Sequence, residues 1–596
     1  MTKVFISQWR FFLVAGFVGF SFSVIGGRLI YLHLIGDKFY ATQAEKTRER
    51  KTLLSSSQRG EIVDRNGNLL AYNHREWVIG VDPSVVENID EGLIVSLAKL
   101  LSIDVDWVKG RMAPKETKTL HLGQTEYEKV QWRKLANSVN EKLYQEILSL
   151  GIKGVRGDPV IKRIYPEKHL AAHLIGFLNT EQKPVSGVEN AMHYYLEGQS
   201  GWLETELGPR RNGKRRELVQ FRKREIEPIN GANVALTIDL MVQKWTEQEI
   251  DTIVEKYKPE SVSIIISECQ TGNLLALANY PTFDLNKYNL FPIDHHRNRA
   301  ITDPYEPGST FKVVTVSAAL EEGLVNIDSS FNCTQPNIYY EGENYSLPGE
   351  HGIKRQFSLK EVITKSSNRA AAQIGIKLGK IKLHQYAKAF GYGEASGFLL
   401  DKESVGTLIK LSKWDRKTIT RLPIGYAVGA TPIQVHNTMA TIANGGIFME
   451  PRIIDSIFNQ EKEEIVFFSV NAKRRVISQS TATMITSFLQ GVVEPGGTAA
   501  KIAIDDYQFA GKTGTTQKIV NKAYSNKEHI SSFSGFFPAS DPKLVVTVVV
   551  DGAKVKGGYA YGGVVAAPVF KNLASKCIKH LGIPKVIKKT RILAQQ

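Results

Sequence analysis

Ser309-Thr310-Phe311-Lys312 sets a hydroxyl and an amine three residues apart, the spacing that puts two side chains on one face of a helix. Pro304 and Pro307-Gly308 break the chain just before it, and an apolar helical run, Phe311 to Leu320, follows. Ser309 is therefore expected at a helix start, where unpaired N–H groups and the positive end of the helix dipole favour developing negative charge. A serine whose proton passes to a nearby lysine is a nucleophile for acyl transfer. The pattern alone is weak. Ser96-Leu97-Ala98-Lys99 and Ser540-Asp541-Pro542-Lys543 match it too, and are read as accidental pairs.

Two further segments raise its weight. Ser366-Ser367-Asn368 opens a helical stretch, Arg369-Ala370-Ala371-Ala372-Gln373-Ile374, and by itself reads as an ordinary N-cap. Lys512-Thr513-Gly514-Thr515 follows Phe509-Ala510-Gly511. A phosphate-binding loop would also end in Gly-Lys-Thr, but its first glycine would fall on Asp506. Read as a strand, the segment offers a cation from Lys512 and hydroxyls from Thr513 and Thr515 to an anionic group. Gly514 would let a substrate backbone lie close to the edge. In this order the three segments form the signature of penicillin-recognising serine enzymes.

The elements that must carry these residues are mixed. Ser261–Ile266 and Leu274–Leu277 flank a turn at Gln270-Thr271-Gly272-Asn273 and predict an antiparallel hairpin. Leu544–Val550 is an apolar β-branched run, expected as a central strand. Strands at both ends of a helix-rich middle imply an α+β fold, with an antiparallel sheet flanked by helices. Upstream, Asn66-Gly67 predicts a hairpin turn between two short strands. Helical patterns are read around 88–101 and 125–150, and a composition shift at 225–231 before Val234–Ile238 marks the main boundary.

A chain of 596 residues with 42% hydrophobic and 23% charged residues has the makings of two or three folded units rather than a disordered protein. The net charge of +16 suits an anionic partner. Its clusters at 46–51, 210–224 and 585–591 lack the interleaved aromatics of a nucleic-acid platform and read as solvated faces. Three distant cysteines, Cys269, Cys333 and Cys577, show neither a disulfide framework nor metal-ligand spacing. Phe11 to Ile35 is apolar except for Arg28 and His33, and no Ala-x-Ala site follows, so an uncleaved signal-anchor is expected over 11–35.

With its three active-site segments, the chain resembles the class B penicillin-binding proteins over nearly its whole length. Ser367 stands where class A β-lactamases carry aspartate. Arg59-Gly60, Asp64-Arg65, Gly67 and Leu70-Ala71 resemble that class's first motif, and Arg163-Ile164-Tyr165-Pro166, His173–Phe177 and Gly187-Val188-Glu189 the next ones. Leu236–Asp239, Thr271–Ala276, Asn298-Arg299-Ala300, Gly429–Gln434 and Tyr561–Pro568 continue the likeness to the end. Tyr305-Glu306-Pro307-Gly308-Ser309 resembles the septal subgroup, since elongation enzymes usually carry proline at the place of Glu306.

The resemblance implies a cytoplasmic tail over 1–10, the span 11–35, an N-terminal pedestal or dimerisation-type domain over 36–230, a serine β-lactamase-like transpeptidase domain over 231–582 and a basic tail over 583–596. It implies a single-pass protein of the cytoplasmic membrane with its catalytic domain outside. Ser309 would attack the penultimate D-Ala carbonyl of a stem peptide, Lys312 would take its proton, Ser366 would relay a proton to the leaving amine, and Asn368 would orient Lys312. Lys512, Thr513, Gly514 and Thr515 would hold the terminal carboxylate and line the groove, with the N–H groups of Ser309 and Thr515 as oxyanion hole. No metal or cofactor is implied. Implied partners are stem peptides, β-lactams, the membrane, a polytopic glycan polymerase of the SEDS family and other division proteins, but no nucleic acid. An elongation-type enzyme, a D,D-carboxypeptidase or β-lactamase, and an inactive scaffold are the alternatives. Ser396–Glu403 lacks the family's usual Pro-Gly, and Arg369 departs from its usual small apolar pair.

Overall fold

The computed structural model describes residues 8–31, 49–55, 57–86, 90–113, 116–121, 124–129, 132–206, 224–350, 352, 354–400, 402–504, 507–520, 523–556 and 558–585. Most of the three basic clusters, and the span beyond 31, lie outside the described residues. The chain forms two compact units, 1–58 with 197–231, and 59–196 with 232–596.

The first unit holds helix α1, Gln8–Ile30, and a three-stranded antiparallel sheet of Glu49–Ser55, Gly201–Glu206 and Arg224–Ile226. Helix α1 is long and apolar enough to cross a membrane, with a mean hydropathy of 1.8 over Trp9–Ile30. It is already helical at Gln8, the first described residue, ahead of the expected span. Its two serine hydroxyls, Ser21 and Ser23, donate to the carbonyls of Phe17 and Gly19 one turn back, so neither needs water.

The second unit is built on two sheets. Strands β1 (Ile62–Val63), β2 (Leu69–Val81), β3 (Arg133–Val139), β4 (Val155–Ile164), β5 (Asn233–Leu236), β8 (Ile454–Phe458) and β9 (Glu464–Phe467) make a seven-stranded sheet in the order β9-β8-β5-β1-β2-β3, with β4 also on β2. β5 lies parallel to β1, Val234 opposite Ile62, so this sheet crosses the composition boundary at 231. The Asn66-Gly67 turn is as expected: β1 and β2 pair antiparallel, Gly67 has φ +83°, and Asp64 accepts from the N–H groups of Asn66 and Asn68. The helix read over 125–150 is confined to Glu141–Ser149, capped by Asn140; Gln124–Lys129 and Arg133–Val139 are strands. Pairing of β3 with β2 overrides local propensity there, burying Leu135 and Val139.

The second sheet comprises β6 (Ser261–Glu268), β7 (Leu274–Tyr280), β10 (Ala510–Val520), β11 (Ala523–Phe537) and β12 (Leu544–Asp551), antiparallel throughout in the order β7-β6-β12-β11-β10. β12 is central, as its β-branched run predicts. β6 is apolar without alternation because both its faces are covered. Ile264 and Ile266 point into the core shared with helices, while Ile265 joins the core that includes Ile62, Leu70, Tyr165 and Val234. That shared core explains why 59–196 cannot be a free-standing body. At its centre Glu189, fully buried, accepts from Arg59 and Arg163, both at 2.7 Å, and from the Tyr165 hydroxyl. Three N-terminal motifs thus converge on one buried ion cluster, and removing Glu189 would strand two guanidinium charges.

Helices α2 (Leu240–Tyr257), α5 (Gln479–Val493) and α6 (Ala567–His580) pack on this sheet, while α3 (Lys312–Glu321) packs on α5 and α4 (Asn368–Ala389) on α3. Lys312 to Ala319 of α3 are buried all round, as befits a core helix. The three cysteines are free and buried.

Candidate active site

Ser309 lies in a single 3-10 turn, Gly308–Phe311, that runs into α3. Gly308 (φ +57°) makes the turn possible: a Cβ there would sit 2.6 Å from Thr516 Oγ1. Gly425 packs equally close on the other side, where a Cβ would fall 2.1 Å from the Gly308 carbonyl oxygen. β10 is the open edge of its sheet and lies against this turn, bringing Lys512 beside Ser309.

Gly514 is needed for a reason the sequence does not reveal. The space its side chain would take is filled by the protein itself, with Ser532 Oγ 2.3 Å and the Pro307 carbonyl oxygen 3.1 Å from a Cβ. Thr513 Oγ1 lies 2.8 Å from Thr498 Oγ1, and Thr515 Oγ1 accepts from the N–H of Gly562 at 3.0 Å.

The second segment serves two purposes at once. Ser367 is the N-cap of α4, its Oγ accepting from Ala370 N. Its neighbours face the site. Ser366 holds a left-handed φ of +60°, a strained conformation for a residue with a side chain, and this turns its hydroxyl toward Ser309. Ser366 Oγ donates to Ser309 Oγ at 2.9 Å and accepts from Lys312 Nζ at 3.1 Å and Lys512 Nζ at 3.0 Å. Lys312 Nζ also donates to Asn368 Oδ1 at 2.6 Å and to the Ser366 carbonyl at 2.5 Å. Helical spacing predicts that Lys312 meets the Ser309 hydroxyl directly; the group bonded to Ser309 Oγ is instead the Ser366 hydroxyl.

Both lysines are fully buried. Burial, then the charge of Lys512, holds the Lys312 ammonium well below the usual lysine range. Burial pushes Lys512 down to about 7. A hydroxyl on a helix start, flanked by two amines that are readily neutral, is equipped for proton transfer and acyl transfer.

No sequence signal points to Glu350, which lies in a loop without a motif. It accepts from Ser367 Oγ (2.7 Å), Asn368 N (3.1 Å) and Arg369 N (2.9 Å). The Arg369 guanidinium donates to the carbonyls of Cys333, Thr334 and Pro348, tying the preceding loops to α4. The segment without Pro-Gly is held by Glu403, whose carboxylate accepts from the N–H groups of Ser396 and Gly397. The two decoy pairs do other things. Ser96 donates to the Gly92 carbonyl within its helix, and Lys543 pairs with Asp541.

Residues 262–575 match the model of the penicillin binding protein transpeptidase domain, and 54–236 that of the penicillin-binding protein dimerisation domain. Stage V sporulation protein D of Bacillus subtilis is 31% identical over 94% of this chain and 84% of its own length. Peptidoglycan D,D-transpeptidase FtsI of Escherichia coli is 30% identical over 97% of this chain and 93% of its own. A peptidoglycan synthetase from Bifidobacterium adolescentis has the same fold, with a TM-score of 0.69 at 24% identity, covering 91% of this chain and 98% of that one.

Proposed function

The chain belongs to the penicillin-binding protein transpeptidases, and we propose that Ser309 is the acylated nucleophile of a class B peptidoglycan D,D-transpeptidase working at the division septum. The observation that carries this is the Ser366 hydroxyl, bonded at once to Ser309 Oγ, Lys312 Nζ and Lys512 Nζ. The likeness to FtsI and Glu306 in the segment before Ser309 support the septal assignment.

In the reaction, Ser309 Oγ attacks the carbonyl of the penultimate D-Ala of a donor stem peptide, and its proton passes to neutral Lys312. The N–H groups of Ser309 and Thr515 receive the oxyanion. The peptide bond breaks, the terminal D-Ala leaves with a proton delivered through Ser366, and an ester to Ser309 remains. An amine of a neighbouring stem then attacks the ester and regenerates the hydroxyl. Lys512, with Thr513 and Thr515, holds the terminal carboxylate; an arriving anion restores the charge that burial depresses in Lys512. A β-lactam enters the same path by opening its ring on Ser309. Helix α1 anchors the chain in the cytoplasmic membrane with the catalytic unit outside. The partners there are a glycan polymerase of the SEDS family and other division proteins.

Incubation with fluorescent penicillin followed by peptide mass spectrometry tests the assignment. The adduct is expected on Ser309. An adduct on Ser96 or Ser540, or none on folded protein, would sink it, and rapid release of the adduct would instead mark a β-lactamase.

A further inference from the structure

Lys312 and Lys512 pose an electrostatic problem: two fully buried amines share one hydroxyl, and their positive charges repel in a medium of low polarity. Among the described residues, the carboxylate whose charge acts on Lys312 is Glu350. It arrives from a loop 18 residues before Asn368, and accepts all three of its hydrogen bonds from the N-cap Ser367 and the first two residues of α4. A carboxylate is well suited to that helix end, where it meets both unpaired N–H groups and the positive end of the dipole. The same loop gives the Gly349 carbonyl to Asn368 Nδ2 at 2.9 Å, so Asn368 is held on both sides, its Oδ1 left for Lys312.

We propose that Glu350 is a positioning residue of the acylation machinery: it clasps the turn that carries Ser366 and Asn368, and it supplies the negative charge that acts on Lys312. The clasp holds Ser366 in its left-handed conformation, which would otherwise relax and withdraw the hydroxyl from Ser309. Against burial and the charge of Lys512, which lower it, this charge raises the affinity of Lys312 for a proton and so shifts the pH at which the base becomes available.

Among the described residues, few other titratable and charged groups surround this cluster. Cys333, on the loop packed against α4, is held as a thiol by burial. The Arg369 guanidinium is turned to backbone carbonyls, and Lys365 is exposed and donates to the Gly496 carbonyl. Lys512 acts on Lys312 from β10, and burial is what lowers Lys512 itself.

This inference rests on Lys312 as the base, and the test separates the two. Second-order acylation by a chromogenic β-lactam is measured against pH for the full-length wild type, Glu350→Gln and Ser367→Ala, with thermal unfolding of each. The wild type should lose activity on the acid side as Lys312 takes up its proton. Glu350→Gln removes a charge that raises the lysine, so its acid limb should move to lower pH while its plateau falls several-fold. The alkaline limb, set by Lys512, should stay in place. Ser367→Ala loosens the same clasp without changing charge, so its plateau should fall with no movement of the acid limb. An unmoved limb in Glu350→Gln, or inactivity of the folded variant at every pH, overturns the charge assignment. A plateau equal to wild type overturns the clasp. Absence of an acid limb in the wild type would instead overturn Lys312 as base. Should Glu350→Gln not fold, Glu350→Ala is the second neutral variant, read by the same criteria.

Discussion

Replacing Lys512 with methionine should stabilise the catalytic unit while abolishing donor recognition. Burial pushes this ammonium down to about 7, against about 10.4 for a lysine in an unfolded chain. A difference of that size corresponds to ~4 kcal/mol of destabilisation at pH 7. The folded protein binds this proton less tightly than the unfolded chain does. The penalty is therefore complete below pH 7, declines as pH rises toward 10.4, and is gone above it. Methionine is close to lysine in volume and carries no charge, so the site neither empties nor overfills. What is lost is the pair of hydrogen bonds from Lys512 Nζ, to Ser366 Oγ at 3.0 Å and the Thr513 carbonyl at 3.1 Å, about 1 kcal/mol each. The balance is a gain of roughly 2 kcal/mol at pH 7, a rise of about 2–4 °C in Tm for a unit of this size.

Scanning calorimetry of wild type and Lys512→Met at pH 7 and at pH 10 would read both the gain and its pH dependence. The advantage should be erased by about pH 10, where the lost hydrogen bonds remain but the penalty has nearly vanished. A variant less stable than wild type at pH 7, or a difference that ignores pH, would refute this account and leave Lys512 a charge the fold accommodates freely.

Lys312→Arg keeps the cation but cannot become a neutral base, so acylation by penicillin should drop by roughly 10²–10⁴-fold; near-wild-type rates on folded protein would overturn the base assignment. Gly514→Ala forces a Cβ to within 2.3 Å of Ser532 Oγ and against the Pro307 carbonyl, which should cost about 1–3 kcal/mol and slow acylation by moving β10 from the Ser309 turn. Unchanged melting and acylation would mean that the strand adapts at no cost. The protein should sediment with membranes and keep its original N-terminus; a mature chain beginning near Arg28 would show that α1 is removed.

The fold is legible where one signal dominates. The Asn66-Gly67 turn, the hairpin of β6 and β7 and the central place of β12 follow from turn chemistry and β-branched runs. The region from 125 misleads, because β3 takes its conformation from pairing with β2, a contact far away in sequence. The joining of 59–196 with the C-terminal region is likewise hidden. It depends on two residues of β1 lying parallel to β5, and on Ile265 turning away from Ile264 into a different core. No local pattern encodes that choice.

The candidate site is legible as residue types and illegible as a network. Ser366-Ser367-Asn368 reads either as a cap or as chemistry, and the structure assigns both, one residue apart, because a left-handed Ser366 reverses the direction of the chain at the helix start. The network then constrains the reaction proposed above. A hydroxyl donates one hydrogen and accepts two. With two lysines donating to it, Ser366 has its acceptor positions filled and gives its hydrogen to Ser309, so it has no position left to receive the Ser309 proton. Once Lys312 is neutral it can accept, Ser366 can donate to it, and the vacated position faces Ser309. One deprotonation thus reverses the polarity of the whole chain, from pinning the nucleophile to withdrawing its proton. Burial and the neighbouring charge of Lys512, which bring that deprotonation toward working pH, are therefore as much a part of the mechanism as the serine.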